Sequence, residues 1–244
     1  TIRDGVLFCP EGGTASLQYA GSRPAQSEGP GDLSLSDGLS LRTGAGWVWD
    51  PVSRTLTLSD GCVLCTAGDA ALTIPQGTTL VVQGKALVAA ADSGADGIVL
   101  ESGASMSLAD GAELTVYAPG TALILPDALE LSGGQSVRLI GGTGGLKAGG
   151  SVTIPFGGRL FCTGALAAEI PGGLTVQGAL CSEGGGQADT VQVSDGGALA
   201  VFSAADGPAL EADSLTCAGG LSLEGAEAGA VLSGAVQLEP GALA

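Results

Sequence analysis

Apolar residues in this chain recur as pairs at i and i+2, each held in a stretch of three to five residues. The series runs from Leu56/Leu58, Leu72/Ile74 and Leu80/Val82 through Met106/Leu108, Leu114/Val116 and Val137/Leu139 to Leu199/Val201, Leu221/Leu223 and Val236/Leu238. Successive side chains of a strand point to opposite faces, so each pair is read as the inward side of one very short strand. Between the pairs stand turn residues, above all seven Asp-Gly steps. The pattern predicts strands and corners with almost no helix.

The pattern is also repeated. LVVQGKALVAA (80–90) returns as LFCTGALAA (160–168), as LTVQGALCS (174–182) and loosely as LTCAGGLSL (215–223), and ALTIPQGTTLVVQG (71–84) aligns without gaps on SVTIPFGGRLFCTG (151–164). Asp-Gly between alternating segments also signals hairpins, so an antiparallel sandwich is the competing architecture. Strand brevity, the repeated unit and a spacing of roughly 20 to 26 residues favour a solenoid. The expected fold is all-β: a single-stranded, right-handed parallel β-helix, because crossover connections are overwhelmingly right-handed. Residues 1–46 lack the clear repeat and are expected to form a short N-terminal β cap. Residues 47–244 are expected to form about eight coils, a rod about 40 Å long at roughly 4.8 Å per coil.

Composition narrows the function classes. The chain has 244 residues, 45% hydrophobic, with 44 Gly and 11 Pro, and the charged residues are only 14%. Its net charge is −17, from 25 acids and 8 bases, and it contains no histidine. Phosphate backbones are bound by clustered Lys and Arg, and here Arg3, Arg23, Arg42, Arg54, Lys85, Arg138, Lys147 and Arg159 are scattered, so no nucleic-acid partner is expected. Without histidine the usual general base and the usual zinc ligand are missing. No apolar run is long enough to span a bilayer.

Six cysteines raise the question of disulfides. Internal alignment sets Cys162 where Val82 sits, Cys181 where Val88 sits and Cys217 where Val116 sits, which makes all three reduced, inward-facing core hydrophobes. Cys62 and Cys65 form CVLC, which has neither the context of a redox motif nor a second pair of zinc ligands.

Candidate ligand-binding residues are few. Trp47 and Trp49 share one strand face beside Asp50, and an exposed pair of this kind stacks on sugar rings; alternatively the two indoles plug the junction between cap and first coil. Asp92 and Asp96 are the densest acidic pair and the calcium candidate, although no calcium repeat is present and turn acids usually face water. No cofactor and no catalytic constellation are expected. GGTGG (141–145) and GGG (184–186) read as turns, since neither leads into GK[ST] or a helix. Arg138 and Arg159 lie beside inward pairs and should both face outward, which makes them the basic residues best able to meet.

WVWDPVSRTLTLSDGCVL, followed by ALTIPQGTTLVVQG, resembles the repetitive right-handed β-helix regions of secreted and surface proteins of gut Firmicutes, and more distantly the pectate-lyase-like β-helices that bind carbohydrate. The resemblance spans about two thirds of the chain and departs from the pattern in having no Asn at the corners. It implies an extracellular or cell-wall-attached chain. The expected function is a non-enzymatic structural or interaction module, an acidic adhesin-like rod with host or neighbouring surface proteins as partners. The alternative is a carbohydrate-binding or polysaccharide-lyase-like β-helix acting on polysaccharide.

Overall fold

The computed structural model describes residues 46–66, 68–204 and 207–239, together with the backbone of the strands Ile2–Arg3, Val6–Leu7 and Arg42–Gly44. Most of the expected cap, and Cys9, lie outside the described residues. From Thr55 onward the chain winds as a three-sided parallel β-solenoid of about eight turns, and among the described residues it contains no helix.

The first face is an eight-stranded parallel sheet running from Cys62–Thr66 to Gly220–Gly225. The second face begins at Ala70–Ile74 and ends at Ala228–Leu232. The third carries Thr55–Leu58, Thr79–Val82 and Ser105–Leu108, then Leu129–Glu130 and Val152–Ile154, and closes at Val236–Leu238. In three later coils, Leu166–Val176, Gly186–Val193 and Pro208–Cys217, one strand bends from the second face onto the third, the first of them shifting register between Ile170 and Gly173. Coils shorten accordingly. Partners on the first face are 28 residues apart at Lys85/Glu113 and 19 apart at Ala179/Ala198.

Alternation and stacking together make the core. Leu64, Val88, Val116, Leu139, Cys162, Ser182, Val201 and Leu223 form one inward ladder on the first face, each the register partner of the next. Leu72, Ile98, Leu123 and Leu146 form another on the second face, all at 0–1% exposure. At the far end the pattern stops enclosing: Leu221 and Leu223 are half-buried, and Val236 and Leu238 are exposed, because among the described residues no further coil lies over them. That last pair keeps the inward register, Val236 on Leu215 and Leu238 on Cys217, but it is left uncovered rather than buried.

The first strand of the regular region departs from parallel winding. Trp47–Asp50 pairs antiparallel with Arg42–Gly44 on one side and with Thr55–Leu58 on the other. A hairpin closes the first coil on this face.

The repeated unit turns out to mark one side and one corner, not one coil. Leu80–Ala90 runs from the third face onto the first, as do Leu174–Ser182 and Leu215–Leu223, whereas Leu160–Ala168 runs from the first onto the second. All corners pose the same steric problem of ending one strand and starting another at an angle, and similar sequence solves it at different corners.

Corner carboxylates act between coils. Asp60 Oδ1 accepts from the Lys85 N–H at 2.9 Å, Asp92 Oδ2 from Gly68 at 2.8 Å and Asp96 Oδ1 from Thr121 at 2.7 Å. Each joins backbone 24 or 25 residues away. A buried amide helps too: Gln135 Nε2 donates to the Leu108 carbonyl while its Oε1 accepts from Ser132, across the point where Ser105–Leu108 and Leu129–Glu130 are not paired.

One cysteine assignment is overturned. The register Lys85, Glu113, Ser136, Arg159, Ala179 places Cys181 on the Leu87 position, outward, and leaves Ser182 on the inward Val88 position. A one-residue slip reverses every side chain. Ser182 is fully buried and donates its hydroxyl to the Gly185 carbonyl at 2.8 Å, which satisfies its polar group. Cys162 and Cys217 are buried free thiols, as is Cys62, whereas Cys65 is exposed.

Labelling with a thiol reagent, mapped by mass spectrometry, should modify Cys65 first and Cys181 more slowly; Cys62, Cys162 and Cys217 should react only on unfolding. Fast native labelling of Cys162 would contradict the inward ladder. Burial pushes the Cys62 thiol up from 9.0 to about 11. The folded state thus holds its proton longer than the unfolded state, so stability is complete below pH 9 and falls as pH rises towards 11.

Candidate functional site

The outward side of the first face is built from three columns. The middle one reads Val63, Leu87, Thr115, Arg138, Phe161, Cys181, Ala200, Ser222. Before it run Lys85, Glu113, Ser136, Arg159, Ala179, Ala198 and Gly220. After it come Tyr117, Ile140, Thr163, Glu183 and Phe202. Inward neighbours on these strands are buried from Cys62–Thr66 to Ala198–Ser203, so side chains of the outer columns there can change without disturbing the core.

A groove of about 1060 Å³ lies along the first two columns. Turn residues Gly134 and Gly157 border it at the corner with the third face, and its floor in the later coils is small: Ala179, Ala198, Ala200, Gly220. The large polar groups stand at one end. Arg138 and Arg159 are both exposed and line it, as the alternation beside Val137/Leu139 and Leu160/Cys162 requires. Arg138 partners Phe161 and Arg159 partners Ser136, so the two arginines are diagonal neighbours on adjacent strands, with Cα atoms about 8 Å apart by strand geometry.

Charge is distributed unequally here. Lys85 forms an ion pair with Glu113 at 3.2 Å and, on the second face, Lys147 with Glu169 at 3.0 Å. Both pairs are well exposed and contribute little to stability. Among the described residues Arg138 and Arg159 have no carboxylate partner. The Arg138 guanidinium instead lies over the Phe161 ring, 5.1 Å from its centroid, a cation–π contact that covers the ring and limits the motion of the arginine. In a chain of net charge −17 this groove is a local reversal of sign. A smaller concavity on the second face, about 460 Å³, is lined by Glu211 and Asp213 and has the opposite character.

The tryptophan candidates have a different fate. Trp47 and Trp49 are 4% and 2% exposed and pack in the core beside Leu58 and Leu56, so no indole face is open to a sugar. They close the first coil. Asp50 caps the hairpin turn: its carboxylate accepts from Val52 N and Ser53 Oγ, both at 2.9 Å, and the Val52 bond first and the Ser53 hydroxyl next hold its pKa below the usual value. Asp92 and Asp96 spend carboxylate oxygens on backbone amides of neighbouring coils, as described above. Among the described residues no three His, Cys, Asp or Glu side chains converge as metal ligands, and no helix is long and apolar enough to cross a membrane.

Compared with known proteins, the chain matches no family model, no curated protein and no solved structure. Phe161, Thr115 and Cys181 are groove residues that the pairing pattern did not single out. Alternation alone puts Phe161 outward between Leu160 and Cys162, but its meeting with Arg138 depends on a coil-to-coil register that no single strand encodes.

Proposed function

We propose that this chain is a non-enzymatic structural or interaction module, an acidic rod acting outside the cell or attached to the cell wall. The observation that carries this reading is the third face. Its outward positions are mostly hydroxyl-bearing over successive coils: Thr55, Thr79 and Ser105 in one file, Thr57 and Ser107 with Val81 between them in the next, and Thr153, Thr175 and Thr216 with Glu130 and Gln192 in the last. Thr79 and Ser105 share a hydroxyl hydrogen bond of 2.9 Å. Such a face covers the core and keeps the rod soluble without offering a catalytic group. A continuous core through all coils supplies stiffness, because each coil is fixed by both neighbours.

A polysaccharide-binding reading draws on the aromatic residues of the first face, Tyr117, Phe161 and Phe202, which the spacer reading leaves without a role. They lie in different coils, and Phe161 is already covered by Arg138. The module reading explains more of the surface.

The test is a panel of neutral and acidic polysaccharides assayed for unsaturated and reducing-end products, with and without calcium. No turnover is expected in either condition. Turnover abolished by Arg138→Ala or Arg159→Ala would overturn the non-enzymatic reading, and calcium-dependent binding without turnover would favour the saccharide alternative.

A further inference from the structure

We propose that the groove on the first face is a docking site for an extended acidic peptide segment of a partner protein, recognised through two carboxylates at i and i+2. This rests on the reading of the chain as an interaction module. The recognising groups are Arg138 and Arg159, which line the groove and have no carboxylate partner among the described residues.

Geometry favours this occupant. Side chains at i and i+2 of an extended peptide lie on one face about 7 Å apart, close to the roughly 8 Å between the two arginine Cα atoms. Stacking on Phe161 fixes the plane of the Arg138 guanidinium and leaves its edge donors free, the orientation suited to a carboxylate. Beyond the arginines the floor of Ala179, Ala198, Ala200 and Gly220 gives room for backbone to lie close. A neutral sugar held in the groove would need an open aromatic face there, and Phe161, the only aromatic among the described residues that line it, already carries the guanidinium. Of the other groove residues only Glu113 is acidic, and Lys85 holds it.

The experiment uses the whole chain and two synthetic blocked pentapeptides, Gly-Glu-Ser-Glu-Gly and its isomer with adjacent glutamates, Gly-Glu-Glu-Ser-Gly. Binding is followed by NMR shifts in dilute and in physiological salt. The first peptide should bind, at least threefold more tightly than the isomer, and more weakly as salt rises. Arg138→Gln and Arg159→Gln should each weaken it about tenfold, the loss of one charge-assisted contact. Arg54→Gln, on a different corner where its guanidinium donates to the Gln76 carbonyl at 2.8 Å, should leave it unchanged. Retained melting temperature in the variants excludes misfolding as the cause.

Equal affinity for the two peptides, equal loss in Arg54→Gln, or no binding of either peptide would overturn the proposal. So would tighter binding of a uronic acid tetrasaccharide, which would assign the groove to acidic glycans instead. None of these outcomes involves turnover, so the proposal can fail while the non-enzymatic reading stands.

Discussion

Replacing Gly184 with alanine should cost about 3 to 5 kcal/mol and lower the melting temperature by roughly 10 °C. Gly184 follows the strand Ala179–Glu183 at the corner between the first and second faces, and its φ is +123°, which L side chains rarely adopt. A Cβ there would stand 1.6 Å from the carbonyl oxygen of Gly164, one coil away. Strain of the backbone dihedral accounts for on the order of 1 to 3 kcal/mol, and overpacking against rigid backbone adds a similar amount. Moving Gly164 away is not an escape, because its own N–H donates to the Glu183 carbonyl at 3.2 Å. The informative control is Gly111→Ala. Gly111 also has positive φ, +70°, but nothing lies within 4 Å of its added Cβ, so only the conformational cost of about 1 kcal/mol applies. Equal melting temperatures for the two variants would mean that coils at Gly184 are not stacked as closely as described.

Leu139→Asp should unfold the middle of the solenoid. Leu139 is 0% exposed and sits in the inward ladder between Val116 and Cys162. Truncating such a leucine costs about 2 to 5 kcal/mol, and an unpaired carboxylate in the same place adds several more, which together consume most of an ordinary domain's stability. The adjacent substitution Arg138→Asp faces outward and should cost no more than about 1 kcal/mol, the contribution of its contact with Phe161. Urea denaturation followed by far-ultraviolet circular dichroism separates the two. Comparable losses at positions 138 and 139 would contradict the alternation on which the whole fold rests.

The strands were legible because they are short and strictly alternating. For Leu56/Leu58, Leu72/Ile74, Leu80/Val82 and Val137/Leu139 the apolar pair and the buried pair are the same residues. Matching Leu174–Ser182 to Leu80–Ala90 puts Cys181 inward, but a single residue of slip, which the structure shows, is invisible to a hydropathy pattern that accepts cysteine on either face. The sequence leaves Trp47 and Trp49 ambiguous for a related reason. An i, i+2 aromatic pair occupies one face of its strand whether that face meets solvent or core, and only the antiparallel hairpin with Thr55–Leu58 decides for the core.

What the sequence determined by itself is local: where strands start and stop, which side of each is apolar, and that corners need Gly, Pro or Asp. These follow from the conformational limits and polarity of neighbouring residues. Tertiary structure decided everything that depends on which residue lies above which. Coil lengths vary between partners 19 and 28 residues apart, so no fixed period predicts that Arg138 covers Phe161, that Arg159 stands diagonal to it, or that Asp60 reaches the amide of Lys85. The physical reason is that stacking register is selected by the summed fit of a whole coil on its neighbours, an energy spread over three faces rather than written into any one strand.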